Sequence, residues 1–390
     1  MTSLFVVCGR ANYTNLSRYS PLSERTFRRN LNRGFGFESL NGHLIETHGS
    51  EAGVQFLVVD ATFHEKSGGH TPHLDRFYNG KSGQVEKGLE WSVVAVVDLE
   101  QNTAYGLSAQ QTESGLSERA KAAALENKVC GNRVDFYLGH LAHCQMYVPE
   151  RVQYGVADSF YSKRKWVNGV VKLGWNSIGK LRQDANLNYL YSGPRRPGPG
   201  RQKTYDGKVN PLERNSQYFT LAETLDDGAQ LWSAVVWSVS LERRIRIVCL
   251  VRIVEGQERY ILLFSTDVKL GASAILAYYR ARFQIEFIFR DARQYVGMVD
   301  SQSRNLDALD AQVNASLTAL NLAKATLRKE ASVEGTSRPE VVSFSIASFK
   351  RKALNEHLLD LFIAMFGLDS TLIKLNPNYQ KLLEYGSLRA

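Results

Sequence analysis

Tyr279, Arg282, Glu286 and Arg293 lie in one stretch, Ala277-Tyr-Tyr-Arg-Ala-Arg-Phe-Gln-Ile-Glu-Phe-Ile-Phe-Arg-Asp-Ala-Arg293. At about 100° per residue these four occupy roughly 60° of one helix face, with Arg290 beside them. Ala281, Ile285, Ile288 and Ala292 take the opposite face and can bury it. A carboxylate ringed by a phenol and guanidiniums, on a helix anchored by its other side, can hold a metal ion and a phosphodiester together. The same pattern also describes a solvated face laced with Glu–Arg pairs, so the weighing depends on other acids.

Two apolar runs supply them. Phe56-Leu-Val-Val-Asp60 and Tyr154-Gly-Val-Ala-Asp158 each end in an aspartate, the pattern of a buried strand delivering a carboxylate at its carboxyl end. Brought together, Asp60, Asp158 and Glu286 make an all-oxygen donor set suited to Mg²⁺ or Mn²⁺.

These motifs resemble the bacterial insertion-sequence transposases of the DDE class, in the branch called insertion sequence four, which carries a Tyr-x2-Arg-x3-Glu-x6-Lys motif. Tyr279, Arg282 and Glu286 match that spacing, and Arg293 takes the Lys position, exchanging a compact ammonium for a planar fork. Val59-Asp-Ala-Thr-Phe63, Lys66-Ser-Gly-Gly-His-Thr71, Gly155-Val-Ala-Asp-Ser159, Leu181-Arg-Gln-Asp-Ala-Asn-Leu187 and Phe264-Ser-Thr-Asp267 match as well, carrying the resemblance to about residue 330. The resemblance implies that Asp60, Asp158 and Glu286 are catalytic and hold two Mg²⁺ ions, or Mn²⁺ in their place, while Tyr279, Arg282 and Arg293 contact DNA; Arg290, on the same helix face, is a further candidate DNA contact from its position alone. It implies cut-and-paste transposition on double-stranded DNA: binding of the inverted-repeat ends, strand cleavage, and transfer to target DNA by a homodimer in the synaptic complex. A ribonuclease H-like nuclease that releases its products without joining them, and an inactive DNA-binding descendant, are the alternatives.

A chain of 390 residues with 44% hydrophobic content can bury a large core in two or three domains. No apolar run reaches the roughly 18 residues of a membrane span, and the basic amino end lacks a secretory apolar region. Four scattered cysteines with no Cys-x2-Cys pair fit a reducing compartment. The expected location is the bacterial cytoplasm, in association with the nucleoid. His140, His143 and Cys144 share a helical face and could recruit Cys130 for zinc, but the spacing matches no standard zinc motif, and Leu138 and Leu141 mark an ordinary packed helix.

The net charge is +9, and its placement matters more than its size. From Ser159 to Lys208 eleven basic residues (Lys163, Arg164, Lys165, Lys172, Lys180, Arg182, Arg195, Arg196, Arg201, Lys203, Lys208) face two acids, Asp184 and Asp206. Trp166, Trp175, Tyr189, Tyr191 and Tyr205 are interleaved with them, so a polyanion could find both phosphate partners and stacking faces. A solubilising loop is the plainer reading of the same block.

The elements that must position these residues follow from the pattern. Residues 1–52 read as a helical DNA-contacting region: Ser23 can cap a helix over 24–31 whose Phe27 and Leu31 face inward and whose Arg25, Arg28 and Arg29 face out. Residues 53–184 read as the first part of a ribonuclease H-like α/β core, a mixed sheet flanked by helices, with strands over 55–62, 91–99 and 103–109, a helical region over 117–146, the Asp158 strand, and one more helix and strand. In that fold the first and fourth strands lie side by side. Asp158 and Glu286 stand 128 residues apart, more than one helix and one strand consume. Residues 185–267 read as a β-rich insertion, opened by the Pro/Gly segment Gly193-Pro-Arg-Arg-Pro-Gly-Pro-Gly-Arg201. Relatives carry a tryptophan there that stacks on a flipped base, for which Trp232 and Trp237 are candidates. Residues 268–330 complete the core with the glutamate helix and a packing helix through Leu306, Leu309, Val313, Leu317, Leu320 and Leu327, and residues 331–390 form a helical carboxyl-terminal region.

Overall fold

The strand that carries Asp60 shows how the molecule is layered. In β1 (Gln55–Glu65), Phe56 and Val58 join one buried cluster and Leu57 and Val59 join a second on the other face. A strand buried on both sides demands cover on both sides. A computed structural model describes residues 2–125, 131–195, 197–333 and 344–387 and supplies that cover.

The remaining strands are β2 (Asp75–Asn79), β3 (Gln84–Asp98), β4 (Thr103–Gln111), β5 (Tyr154–Val156), β6 (Asn176–Leu181), β7 (Leu187–Leu190), β8 (Tyr205–Lys208), β9 (Thr220–Thr224), β10 (Gln230–Ser238), β11 (Arg243–Val254) and β12 (Gln257–Ser265). All twelve belong to one sheet, in the order β2-β3-β1-β5-β6-β12-β11-β10-β7-β8, with β4 also on β3 and β9 also on β10. Strands β1, β5 and β6 run parallel and the other pairings are antiparallel. The run β4-β3-β1-β5-β6 is a mixed sheet consistent with a ribonuclease H-like domain. The β-rich run over 187–265 joins this sheet, because β12 pairs with β6 from Leu262 to Ser265.

Helices α1 (Thr2–Val6), α2 (Tyr13–Arg18), α3 (Glu24–Leu31) and α4 (Phe37–His48) precede the sheet, and α5 (Leu116–Leu125), α6 (Arg133–Cys144) and α7 (Arg164–Lys172) interrupt it. After it come α8 (Ala272–Ala281), α9 (Gln284–Tyr295), α10 (Leu306–Val333), α11 (Ile346–Met365), α12 (Ser370–Leu375) and α13 (Pro377–Leu383). Residues of α8, α9 and α10 pack on the Phe56 side of the sheet, and those of α6 and α7 on the Leu57 side. Ser23 caps α3 by accepting from Thr26 N, while Phe27 and Leu31 pack inward and Arg25, Arg28 and Arg29 stay exposed, as the sequence anticipates. None of the described helices is long and apolar enough to cross a membrane.

Helix α10 does more than fill space. Among the described residues strand β4 has no strand partner beyond β3, so without other partners its outer backbone groups would be buried and unpaired. Asn314 accepts from Ala109 N and donates to Ala109 O, both at 2.8 Å, and Asn321 accepts from Gly106 N (3.1 Å) and donates to Gly106 O (2.7 Å). Asn321 also donates to Asn41 Oδ1, and Asn41 donates to Leu107 O. Seven residues apart, the two asparagines lie on one helix face and take the part of a neighbouring strand.

On the same helix, burial pushes the Asp310 carboxyl from its ordinary 3.8 up to about 6, against the pull of the Trp91 indole N–H that it accepts at 3.0 Å. A carboxyl raised by folding contributes stability below its unfolded value and loses it as pH rises through about 6. Asp310→Asn keeps an acceptor for Trp91 and should remove that loss, gaining on the order of 2–3 kcal/mol near neutral pH. Urea unfolding across the acid range checks it: parallel curves for the two proteins would refute the assignment.

Candidate active site

Register brings the first two acids together. Leu57 pairs with Gly155 and Val58 with Val156, so continuing the same offset sets Asp60 beside Asp158. Strand β5 stops at Val156, whereas β1 continues to Glu65. Asp60 therefore stands in mid-strand, not at the carboxyl end that the sequence pattern implies, at the point where its parallel neighbour has ended. The continuation is possible because β3 alone still pairs with β1 out to Glu65 opposite Gly88. Asp158 leads into a 3₁₀ turn, Ser159–Tyr161, and its Oδ1 accepts from Phe160 N at 2.9 Å.

The third acid arrives on α9, and the motif is not one continuous helix. Between Ala281 and Gln284 the backbone tightens: Phe283 N bonds to Arg280 O, Ile285 N to Arg282 O and Glu286 N to Phe283 O, all three residues apart. A 3₁₀ turn advances about 120° per residue instead of 100°, so it rotates α9 relative to α8. Ile285, Ile288 and Ala292 are buried as expected, and Glu286 reaches the acids. Arg290 does not: its Nε bonds to Asp291 Oδ1 at 2.8 Å and its guanidinium packs 4.8 Å from the Phe287 ring.

Arg282 links the carboxylates. Its Nη1 lies 3.8 Å from Asp60 Oδ2, its Nη2 lies 3.5 Å from Glu286 Oε1, and its guanidinium sits 5.8 Å from the Tyr279 ring centroid. Arg293 fastens α9 to β1, with Nη2 donating to Thr62 Oγ1 and to Phe63 O. The other two nitrogens of that fork lie outside this clamp, an arrangement that the single ammonium of a lysine could not reproduce.

Electrostatics mark Asp60 as the strained member. Burial first, and next the negative charge of Asp158, push its carboxyl up to about 7, against the pull of Arg282 and the Ala61 N–H. Burial raises the Tyr279 phenol and lowers the Arg293 guanidinium. Lys163 is lowered by burial and held up by Asp158, which places an ammonium beside the second acid, 3.8 Å from the Phe160 ring.

One buried neighbour of the acids escapes the sequence reading. Tyr161 is buried, its hydroxyl has no hydrogen-bond partner among the described residues, and burial followed by the charge of Asp60 pushes it far above its ordinary range. Its only signal in the chain is a position three residues after Asp158.

The basic block divides. Arg164 pairs with Glu242, Lys165 with Asp135 and Lys203 with Asp206. Arg182, Arg195, Arg201 and Lys208 are exposed, and Arg196 lies outside the described residues. The expected stacking faces mostly vanish: Trp166, Trp175 and Tyr189 are buried in the core on the Leu57 side, leaving Tyr191 and Tyr205 partly open. An apolar ring at a core position gains more from burial than from waiting for a ligand. Trp237 lies against Tyr205, and Trp232 lies beneath Arg214. His140 is bonded to Ser92 Oγ and Ser108 Oγ, and Cys144 is buried, so this pair belongs to the packed helix; Cys130 lies outside the described residues.

The three acids are a hard oxygen set, and the repulsion that raises Asp60 is what a divalent cation would relieve, so the residues fit Mg²⁺ or Mn²⁺ in chemistry. Arg282 stands between Asp60 and Glu286, and among the described residues no group of three possible ligands is gathered tightly enough to hold a metal. If the acids hold Mg²⁺, it should stabilise the wild type by mass action, by about 2.7 kcal/mol at a hundredfold excess over Kd, with a raised unfolding midpoint, and have no such effect on Asp60→Asn. An equal rise in both proteins would place the cation elsewhere.

The model of the DDE superfamily endonuclease family matches residues 38–244, more than half of the chain. The chain belongs to this family, whose members act on DNA and generally use divalent metal ions. The match spans Asp60 and Asp158 and stops before Glu286. No curated protein matches the chain.

Proposed function

We propose that the chain is an insertion-sequence transposase of the insertion sequence four branch, which cleaves double-stranded DNA at the inverted-repeat ends of its element and joins the freed 3′ ends to new phosphodiesters. The observation that carries this reading is the convergence of Asp60, Asp158 and Glu286 from two adjacent parallel strands and a helix, with Arg282 between them. Two Mg²⁺ ions, or Mn²⁺, when bound by these acids, would activate the attacking oxygen and neutralise the leaving one. The chain's own residues do the rest. Arg282 leaves the carboxylates for a phosphate oxygen, for which its fork is shaped. The remaining nitrogens of Arg293 hold a neighbouring phosphate, and Tyr279 packs under Arg282 and fixes its plane.

In this reading residues 1–52 contact the ends, residues 185–267 are the β-rich insertion, and Lys163, Arg182, Arg195, Arg196, Arg201, Lys203 and Lys208 face DNA together with Arg25, Arg28 and Arg29. Two copies act together in the synaptic complex. The test is strand joining: the purified protein is incubated with a pre-cleaved end duplex carrying a free 3′-hydroxyl and with a target plasmid. Covalently joined or hairpin products support a transposase. Cleavage of an uncut duplex with no joining would reassign the chain to the nucleases, and binding with neither would leave an inactive descendant.

A further inference from the structure

Three hollows on the surface around the amino-terminal residues run into one another. The first, about 510 Å³, is bounded by Arg293, by the bend at Gly9 and Arg10, and by Arg351 of α11. The second, about 380 Å³, lies over Arg10 and Arg18, and the third, about 470 Å³, lies between Tyr13, Arg28 and the 301–305 segment with Arg304. Cys8 and Arg10 are shared by the first two, and Asn12 and Thr14 by the last two, so the three form one groove that starts at the motif helix.

Its charge is unbalanced. Arg10, Arg18, Arg304 and Arg351 are exposed, and none has a carboxylate partner among the described residues. The two acids on its walls are already engaged: Asp300 Oδ2 accepts from Ala11 N at 2.7 Å, and Glu24 pairs with Arg28 at 2.7 Å and accepts from Thr14 Oγ1. The walls are also fixed in place. Lys350 donates to Leu4 O and Val7 O, tying α11 to α1. Gly297 turns the chain after α9 with φ +75°, and a Cβ there would come within 2.4 Å of Ala11 Cβ. A pre-formed positive groove spends little ordering entropy on its ligand.

We propose that this groove carries the backbone of duplex DNA away from the cleavage site, with Arg10, Arg18 and Arg304 each neutralising a phosphate. The proposal rests on the DNA-cleaving role above and adds a route: amino-terminal residues, the 301–305 segment and α11 together form one track that Arg293 connects to the acids. Continuity with Arg293, clamped to Thr62 two residues from Asp60, favours DNA over any other polyanion.

A labelled duplex containing the flanks of the chain's own gene, titrated over a salt series, tests it. Each phosphate contact contributes about 0.9 to the slope of log K against log salt, so Arg10→Ala/Arg18→Ala/Arg304→Ala should lower that slope by roughly 2–3. The side chains are exposed and have no carboxylate partner among the described residues, and an unchanged unfolding midpoint verifies the fold. An unchanged slope in the triple variant, when the wild type does bind the duplex, overturns the groove and leaves the endonuclease reading standing. A wild type that binds no duplex overturns the DNA reading itself. As a second measurement, an aryl azide attached to exposed Cys8 in a Cys130→Ser background should crosslink to the bound duplex, because Cys144 and Cys249 are buried. Intact binding without crosslinks contradicts the route.

Discussion

Under the proposed function, Asp60→Asn, Asp158→Asn and Glu286→Gln should each reduce DNA strand cleavage by about three orders of magnitude or more, because an amide neither carries the charge nor offers the second anionic oxygen that a divalent ion needs. DNA binding by the same variants stays within about twofold, since affinity for the duplex comes from guanidinium and ammonium contacts with phosphate. The Asp60 variant has a further signature. The folded protein raises this carboxyl to about 7 through burial and the nearby Asp158, so its ionisation costs stability as pH rises toward and past that value. Asp60→Asn should lose activity and gain stability near neutral pH, the sign expected of a group kept for function at the expense of the fold. Cleavage and unfolding midpoints measured on one preparation decide the matter. A variant that loses both together would make Asp60 a structural residue.

Asn321→Leu destabilises the protein by roughly 3–5 kcal/mol, the largest effect expected outside the acids. The side chains are similar in volume, so the loss is not one of packing. It strands Gly106 N, Gly106 O and Asn41 Oδ1, three buried groups that would each lack this partner. An unsatisfied buried group costs about 1–3 kcal/mol, against a total stability of about 5–15 kcal/mol. Asn314→Leu strands two groups at Ala109 and should cost less. Urea unfolding with Leu320→Met as the volume-matched comparator checks the ranking, and a cost below about 1 kcal/mol for Asn321→Leu would show that water replaces the asparagine.

These two results also mark how far the sequence could be read. Asp60 and Asp158 are legible because each closes a run of apolar residues, and strand patterns depend on near neighbours. Glu286, Arg282 and Tyr279 are legible because helical spacing is local too. The break at Arg282–Phe283 is not, since no glycine or proline marks it, and Arg290 is consequently read into a site from which it turns away. The apolar positions of α10 announce a packing helix, but Asn314 and Asn321 look like its wet side. Only the edge of β4, far away in the chain, makes them interior. Trp166, Trp175 and Tyr189 fail for the same reason in reverse: basic neighbours suggest an open face, and the sheet buries them. Tyr161 carries no local signature, because its burial beside the acids depends on an enclosure formed by several elements.

The most direct test of the account is to incubate the purified protein with labelled DNA carrying its own gene and flanks, with Mg²⁺ or Mn²⁺, and to map every new strand end to the nucleotide. The account predicts discrete, cation-dependent breaks at a pair of inverted ends, absent with Asp60→Asn. Breaks scattered along the DNA, or breaks that persist in the Asp60→Asn protein, would contradict it.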